Sequence, residues 1–207
     1  METVTDRLSN PFGMRIDGAA VYGYGDPNAD FHVVGDHPGR HGGAAVARNG
    51  DGEAVPFVGS GGGDRLLSLL QEVGLDPDDP DGPGLFLSYA HPRVVDGDGA
   101  EPTDEGYDDQ ERFLDAELRA VNAHVLLPVG DRALAYVLRE HTTLDGKLPP
   151  DAARLHAREL RGRGFMVIPV RDPGDWTDDD ERALRERLEA TLASDYRQTK
   201  GIPTLVG

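Results

Sequence analysis

The sequence contains no cysteine, and this absence excludes several kinds of chemistry. Without thiols the chain forms no disulfide, has no cysteine nucleophile, and cannot bind zinc or an iron–sulfur cluster through sulfur ligands. Such composition is typical of a reducing compartment, so we expect a cytoplasmic protein. Long apolar runs are also missing: no stretch approaches the roughly 20 residues that span a bilayer, and "METVTDRLSN" lacks a signal-peptide core. We therefore expect no membrane association.

Positive charge is scarce as well. Lys+Arg total 21 against 38 for Asp+Glu, the formal net charge is −17, and lysine occurs only at Lys147 and Lys200. Disordered segments can be this acidic, but here apolar runs recur at the spacing of secondary-structure elements. We interpret the composition as the hydrated surface of a halophilic protein, whose self-repulsion is screened by salt. Because molar salt weakens the counterion contribution to DNA binding for any protein, the acidity does not exclude a nucleic-acid partner.

The length of 207 residues suits one α/β domain with its own core. Apolar runs predict four buried strands, at residues 30–35, 85–90, 123–130 and 165–170. Helical spacing of apolar residues occurs at 61–75, 107–121, 131–140, 151–163 and 178–194. This alternation predicts a three-layer α/β/α sandwich around a central four-stranded parallel sheet. We expect a single domain over 1–207, with a core of about 20–195 and irregular termini at 1–18 and 196–207.

Unusual polar loops follow each predicted strand. They are, in chain order, "GDHPGRHGG", "SYAHPR", "GDRA" and "RDPGDW". Ligands bind at the carboxyl ends of parallel strands, so the four loops predict one shared site. The first loop matches neither a Walker loop nor a dinucleotide-binding fingerprint. A metal-dependent hydrolase that uses His37, His41 and His91 remains an alternative, although glycine and proline disrupt the helical geometry that the first two would need.

Two short motifs carry a resemblance to a known family. The first is "GDHPG" (35–39), which follows a buried strand, and the second is "PFVG" (56–59), which precedes a Leu-rich helix. In this order they resemble the uracil-DNA glycosylase superfamily, and most of all its archaeal and thermophile branch, which usually carries a four-iron cluster. The resemblance continues through 116–138 and covers about 20–195. The branch binds its cluster through four cysteines, which this chain lacks, so we expect no metal and no cofactor.

The resemblance implies a catalytic pair and a base-binding group. Asp36 matches the acidic residue that positions or activates water. His37 is the second catalytic candidate, because His37, His91 or Arg171, which follow the strands at the same edge, could supply the donor for the departing base. Phe57 matches the aromatic residue that stacks on the extruded base. The other base-binding candidates are Gly39, Ser88 and His91.

The loop after the fourth strand departs from the family pattern. The family usually places there a histidine that stabilises the departing base, whereas here Asp172 precedes a proline, and its carboxylate would repel a base anion. Arg171 flanks it, and Trp176 lies in the segment that fills the hole left by the flipped base. Ser88 replaces an asparagine and is too short for the paired contact that an amide makes to a pyrimidine edge.

Two hypotheses follow. In the first, a monomeric enzyme removes uracil or another damaged base from single- or double-stranded DNA. This reaction needs a pocket for the flipped base, a carboxylate near the sugar, and a donor for the leaving base. In the second, an inactive or repurposed superfamily member binds a nucleobase, nucleotide or single strand in the retained pocket. Asp36 and Phe57 favour the enzyme, whereas Ser88 and Asp172 favour the binding protein.

Overall fold

A computed structural model describes residues 8–50, 52–97 and 100–199, so the predictions for the outermost termini, 1–7 and 200–207, lie outside the described residues. A six-stranded sheet in the order β1-β3-β2-β4-β6-β5 runs through the molecule. Its strands are β1 (Tyr24–Gly25), β2 (Phe31–Gly35), β3 (Leu85–Tyr89), β4 (Val125–Pro128), β5 (Leu160–Arg161) and β6 (Met166–Val167).

Seven α-helices accompany the sheet in the described part of the chain. They are α1 (Pro38–His41), α2 (Ala44–Asn49), α3 (Gly61–Glu72), α4 (Asp104–Val121), α5 (Gly130–His141), α6 (Ala152–Leu155) and α7 (Asp178–Leu192). Short 3-10 helices occupy Pro173–Asp175 and Tyr196–Thr199. Within the described ranges, none of the helices combines the length and the apolar composition that crossing a bilayer requires.

The expected four-stranded parallel sheet was wrong, because the sheet is six-stranded and mixed. β3, β2, β4 and β6 run parallel in its middle, where Val33 lies opposite both Leu87 and Leu127. The two edge strands, β1 and β5, pair antiparallel with their neighbours. Each edge strand has only two residues, too few to show a period-two pattern.

Helices cover both faces of the sheet because its strands are buried on both sides. On one face Phe31 and Val33 of β2 pack with leucines of α3 and α7. On the other face Val34 packs with residues of α4 and α5. The alternation of side chains along a strand produces this division. Every side chain of β2 is buried, as the near-continuous apolar run predicts for a central parallel strand.

Three helices begin with polar caps next to the loops of interest. Ser60 accepts a hydrogen bond from the third residue of α3, and Thr103 does the same for α4. Thr177 forms a reciprocal capping box with Asp180 at the start of α7. These caps fix where the helices begin, and so they hold the ends of the loops at the carboxyl edge of the sheet.

The helix predicted over 151–163 was also wrong. α6 ends at Leu155, where His156 leaves the helical region (φ −48°, ψ 132°) and Ala157 takes a left-handed φ of 57°. Residues 160–161 instead form β5, which pairs with β6. The apolar spacing that indicated a helix is satisfied by packing of Leu155 and Leu160 against other elements, so a tertiary pairing overrode the local pattern.

Candidate active-site cleft

A cleft of about 630 Å³ opens where the loops after β2, β4 and β6 meet. Its volume lies in the range of small-molecule sites and is large enough for a nucleobase with its sugar. The charged and phenolic residues that line it are Asp36, Arg40, Glu101, Tyr107, Asp131, Arg132, Arg171, Asp172 and Asp175. Of the predicted site residues, Asp36, Arg171 and Asp172 are thus brought together in one cleft.

Asp36 stands directly after β2 and is 6% exposed. The Tyr107 hydroxyl, from the first turns of α4, donates a hydrogen bond to Asp36 Oδ1, whereas Oδ2 receives none from the described residues. Burial and this carboxylate raise the pKa of Tyr107, so it remains a donor at neutral pH. The Arg132 guanidinium lies 4.2 Å from the centre of the Tyr107 ring. Tyr107 therefore fixes the orientation of Asp36, and no sequence motif pointed to it.

His37 and Gly39 are neighbours of the cleft residues Asp36 and Arg40 in the chain but do not themselves line the cleft. His37 is buried, and its Nε2 lies 2.8 Å from Glu101 Oε2, a carboxylate that does line the cleft. A Cβ at Gly39 would lie 3.1 Å from His37 Nδ1, and Gly39 faces a neighbouring hollow of about 260 Å³. Neither predicted residue lines the main cleft, and His37 influences it through Glu101.

Asp172 is held by two basic side chains. Arg40 Nε donates to Asp172 Oδ2 at 2.5 Å, and His41 Nε2 lies 3.4 Å from the same oxygen, an ion-pair distance rather than a good hydrogen bond. The Asp36 backbone N–H donates to His41 Nδ1, so a neutral His41 ring carries its proton on Nε2, facing Asp172. Burial opposes ionisation of Asp172, but His41 and Arg40 together lower its pKa well below the usual range. Asp172 is a carboxylate and joins the first and last loops.

Phe57 is fully buried and does not line the cleft. Its ring stacks on His41 with a centroid distance of 5.6 Å, and lies 5.3 Å from the Tyr89 ring. Its backbone N–H donates to the Tyr89 hydroxyl at 2.6 Å, and that hydroxyl donates to Gly42 O. A Cβ at Gly35 would lie 2.7 Å from both aromatic rings, so only glycine permits this packing. His41 and Tyr89 therefore cover the Phe57 ring, which was predicted to stack on an extruded base.

Ser88 faces the opposite side of the sheet from Phe57. Its Oγ lies 2.7 Å from His32 Nε2 in the buried layer beneath α4. Because successive strand residues alternate, the residue that meets Phe57 is Tyr89. Tyr89 was missed, although the period-two pattern it shares with Leu85 and Leu87 places it on that face.

His91 and Trp176 are buried supports of the cleft. The His91 ring contacts Tyr107 edge-on at 5.4 Å, and burial lowers the pKa of this histidine. Trp176 is 7% exposed, and its indole N–H donates to the Arg171 carbonyl at 2.8 Å. Arg65 lies 5.6 Å from the Trp176 ring centre. Trp176 thus holds the backbone of the Arg171 loop, and its predicted contact with DNA stays a prediction.

The second motif, "PFVG" (56–59), is held in place by contacts with the start of α3. Ser60 donates to His41 O at 2.6 Å and accepts from the Gly63 N–H. A Cβ at Gly63 would lie 2.1 Å from Phe57 O and 2.3 Å from His41 O, whereas a Cβ at Gly61 would meet open space. The run of three glycines therefore contains one position where the helix touches both loops.

The fold and the cleft together define a class of protein. Parallel central strands, helices on both faces and a carboxylate cleft at the carboxyl edge are the features of an α/β protein with a ligand site at that edge. The model of the Uracil DNA glycosylase superfamily matches residues 22–189. The chain therefore belongs to this superfamily, as the two motifs predicted, and a uracil-DNA glycosylase-like role in DNA base excision follows at the family level. No curated protein matches the chain.

The iron–sulfur cluster of the related branch does not fit the residues present. Such a cluster is bound by cysteine thiolates, and the chain contains none. Among the described residues, no group of three or more His, Cys, Asp or Glu side chains is arranged to hold a metal ion. The groups that line the cleft are carboxylates, arginines and the phenol of Tyr107.

Proposed function

We propose that this protein hydrolyses the N-glycosidic bond of uracil or another damaged base in DNA. The observation that carries the proposal is the placement of Asp36. Its buried carboxylate is held through Oδ1 by Tyr107, receives no hydrogen bond on Oδ2 from the described residues, and lines a cleft of about 630 Å³. Arg40 and Arg171 line the same cleft and supply positive charge.

In the proposed hydrolysis each of these groups has a separate role. An extruded base enters the cleft. Asp36 Oδ2 accepts a hydrogen bond from water and takes its proton as the water oxygen bonds to the sugar carbon. The electron pair of the broken bond leaves with the base, and the guanidinium groups of Arg40 and Arg171 stabilise that negative charge. The proton then passes from Asp36 to solvent or to the departed base.

The carboxylate of Asp172 is the main obstacle to this chemistry. It stands where the family usually has a histidine donor, and a lone carboxylate would repel the leaving base. Here the charge of Asp172 is offset by Arg40 at 2.5 Å and by the His41 proton at the same oxygen. The repulsion is therefore reduced by direct pairing, although the pairing also occupies Arg40 Nε.

The proposal is tested by comparing base excision by native protein and by the Asp36→Asn variant. Native protein in molar potassium chloride is incubated with labelled single- and double-stranded oligonucleotides that hold uracil, hypoxanthine or xanthine, and abasic sites are scored by alkaline cleavage. We expect Asp36→Asn to slow excision by about 100- to 10,000-fold, the usual effect of losing a general base. Asp175→Asn is the matched control, because this exposed carboxylate lines the same cleft and the charge change is identical. Equal excision by native protein and Asp36→Asn would refute the assignment.

A second function, base or strand binding without excision, is favoured by one observation. The Phe57 ring is fully buried against His41 and Tyr89, so the residue that matches the family's stacking aromatic offers no open face to a flipped base. Oligonucleotide binding by native protein without abasic sites, for every base and strand type tested, would support this function and contradict the enzyme.

A further inference from the structure

His41 is buried at the end of the first loop, where its ring meets three other parts of the chain. The residue is 1% exposed and does not line the cleft. We propose that His41 is a positioning residue for base excision and that its Nδ1 holds the backbone of Asp36 in place. Phe57 and Asp172 act through His41, because they hold its ring. The inference rests on the proposed function, since it concerns the carboxylate that would activate water.

Asp36 is fixed at three of its four polar groups. Its backbone N–H donates to His41 Nδ1 at 3.1 Å, and its carbonyl accepts from the His91 N–H at 2.9 Å. The Tyr107 hydroxyl donates to Oδ1, which leaves Oδ2 for water. Without the His41 contact a buried N–H would lose its partner, and the backbone of Asp36 would be free to move. A displacement of about 1 Å in an active site can cost about 100-fold in rate.

The backbone of His41 is held so that its ring turns back to Asp36. α1 is a single turn, in which the His41 N–H donates to His37 O at 3.1 Å. The Ser60 hydroxyl donates to His41 O at 2.6 Å, which ties this turn to the start of α3. These two bonds fix the point from which the imidazole reaches the Asp36 N–H, five residues earlier in the chain.

Two aromatic rings fix the plane of the imidazole. Phe57 stacks on His41 with a centroid distance of 5.6 Å and an interplanar angle of 21°, and Tyr89 lies at 6.4 Å and 25°. Both aromatic side chains are buried, and a closely packed ring cannot turn without displacing its neighbours. Phe57 therefore contributes to the site without an open face, because it orients the ring that contacts Asp36.

Asp172 favours the tautomer of His41 that the Asp36 N–H requires. A proton on Nδ1 would face that N–H, so the proton of a neutral ring must lie on Nε2. Nε2 is buried, has no hydrogen-bond partner among the described residues, and lies at an ion-pair distance of 3.4 Å from Asp172 Oδ2. A carboxylate beside one ring nitrogen favours the tautomer that carries its proton there. The Arg40 guanidinium and the Gly174 N–H in turn hold the two oxygens of Asp172.

The sign of the Asp172→Asn effect tests this role. If the carboxylate only repelled the leaving base, removing its charge would make excision faster. We expect the opposite. The kcat for excision should fall about tenfold, with KM changed less than about twofold, because a neutral amide attracts the His41 Nε2 proton less strongly. Asp109→Asn is the matched control, an exposed carboxylate on α4 that does not line the cleft, and it should leave kcat unchanged.

Three substitutions of His41 separate its acceptor from its packing. His41→Phe keeps a ring against Phe57 but has no acceptor, so kcat should fall about 10- to 100-fold with little change in KM. His41→Asn carries an amide oxygen the same number of bonds from Cα as Nδ1, and it should recover kcat to within about fivefold of native protein. His41→Gln keeps only a donor at the place of Nε2, and it should be no faster than His41→Phe.

Amide hydrogen exchange followed by NMR tests the contact without any substrate. The Asp36 amide should be protected in native protein and in His41→Asn. It should exchange at least about tenfold faster in His41→Phe and His41→Gln, since its acceptor is lost. The Val33 amide in the central strand β2 is the reference, and its unchanged protection shows that a variant is folded. Where a His41 variant loses this protection, the Asp172→Asn result decides.

The inference is overturned by faster excision in Asp172→Asn, or by a folded His41→Phe variant that keeps the native kcat. Unchanged Asp36 exchange in His41→Phe would refute the contact itself. Both results leave the proposed enzyme standing, because native protein still excises the base. Absence of excision by native protein refutes the proposed enzyme and with it the catalytic part of this inference.

Discussion

Glu117 should make the folded protein less stable as the pH rises from mildly acidic to mildly alkaline. It lies on the inner face of α4 and is buried beneath the sheet, where the Gly23 N–H and the Ser88 hydroxyl donate to its carboxyl group. Burial raises the pKa of Glu117 to about 8, since these two donors only partly offset the loss of water. Its side chain is therefore largely protonated at neutral pH.

The sign and the size of the effect follow from this shift. Between the unfolded pKa of 4.5 and the folded pKa of about 8, the folded state holds a proton that the unfolded state has released, so stability falls as pH rises. The difference is roughly 3.5 pKa units at about 1.36 kcal/mol each, a ceiling of about 5 kcal/mol. This is a large share of the 5–15 kcal/mol by which domains of this size are stable.

Urea unfolding at a series of pH values and constant potassium chloride measures this effect. In the Glu117→Gln variant the contribution disappears, so the difference in unfolding free energy between native and variant protein should fall by up to about 5 kcal/mol across this window. Glu105→Gln is the matched control, an exposed carboxylate on the same helix, and its difference should stay flat. Parallel stability curves for native protein and Glu117→Gln would refute the burial argument.

Three further perturbations test the packing and orientation of the site. Gly63→Ala should destabilise the fold by about 1–3 kcal/mol, because the added methyl group would collide with two carbonyl oxygens. Gly61→Ala, whose methyl group would lie in open space, should be neutral or stabilising by up to about 1 kcal/mol. Thermal unfolding of the two variants measures the difference, and equal changes in their melting temperatures would contradict the packing argument. Tyr89→Phe leaves a buried N–H and a buried carbonyl without partners, which should cost about 1–3 kcal/mol each in urea unfolding, and an unchanged midpoint would show that the two bonds contribute nothing. Tyr107→Phe should lower kcat for base excision about tenfold with little change in KM, because the Asp36 carboxylate loses the hydrogen bond that orients it while the cleft keeps its shape. A change in KM alone would instead assign Tyr107 to substrate binding.

The central strands and the long helices were predictable because their signals are local. The apolar runs at 31–35 and 85–89 give fully buried strands, and α3, α4, α5 and α7 coincide with apolar positions at helical spacing. Asp36 was chosen because it matches the acidic residue of the family's first motif, and the strand order predicted only that its loop lies at the edge where ligands bind. These features depend on a few neighbouring residues and on rules that hold for any sheet.

Other features were decided by contacts between distant residues. The edge strands form because partners are supplied by β3 and β6, and the same pairing replaces the helix expected at 151–163. The hydrogen bond from Tyr107 to Asp36 joins residues 71 positions apart, and Arg40 meets Asp172 across 132. No local sequence pattern encodes these contacts, because the positions of the side chains relative to one another are fixed only when the helices pack on the sheet.

By itself, the sequence of this protein determined its superfamily, its central parallel strands and the edge at which its polar loops converge, because period and motif order are properties of the chain alone. Only the tertiary structure decided that Phe57 is covered by Tyr89 and His41, that Ser88 faces away with Glu117, and that Asp172 is neutralised by Arg40. The physical reason is that burial and ion pairing depend on which side chains are in contact, and residues far apart in the sequence come into contact only when the chain folds.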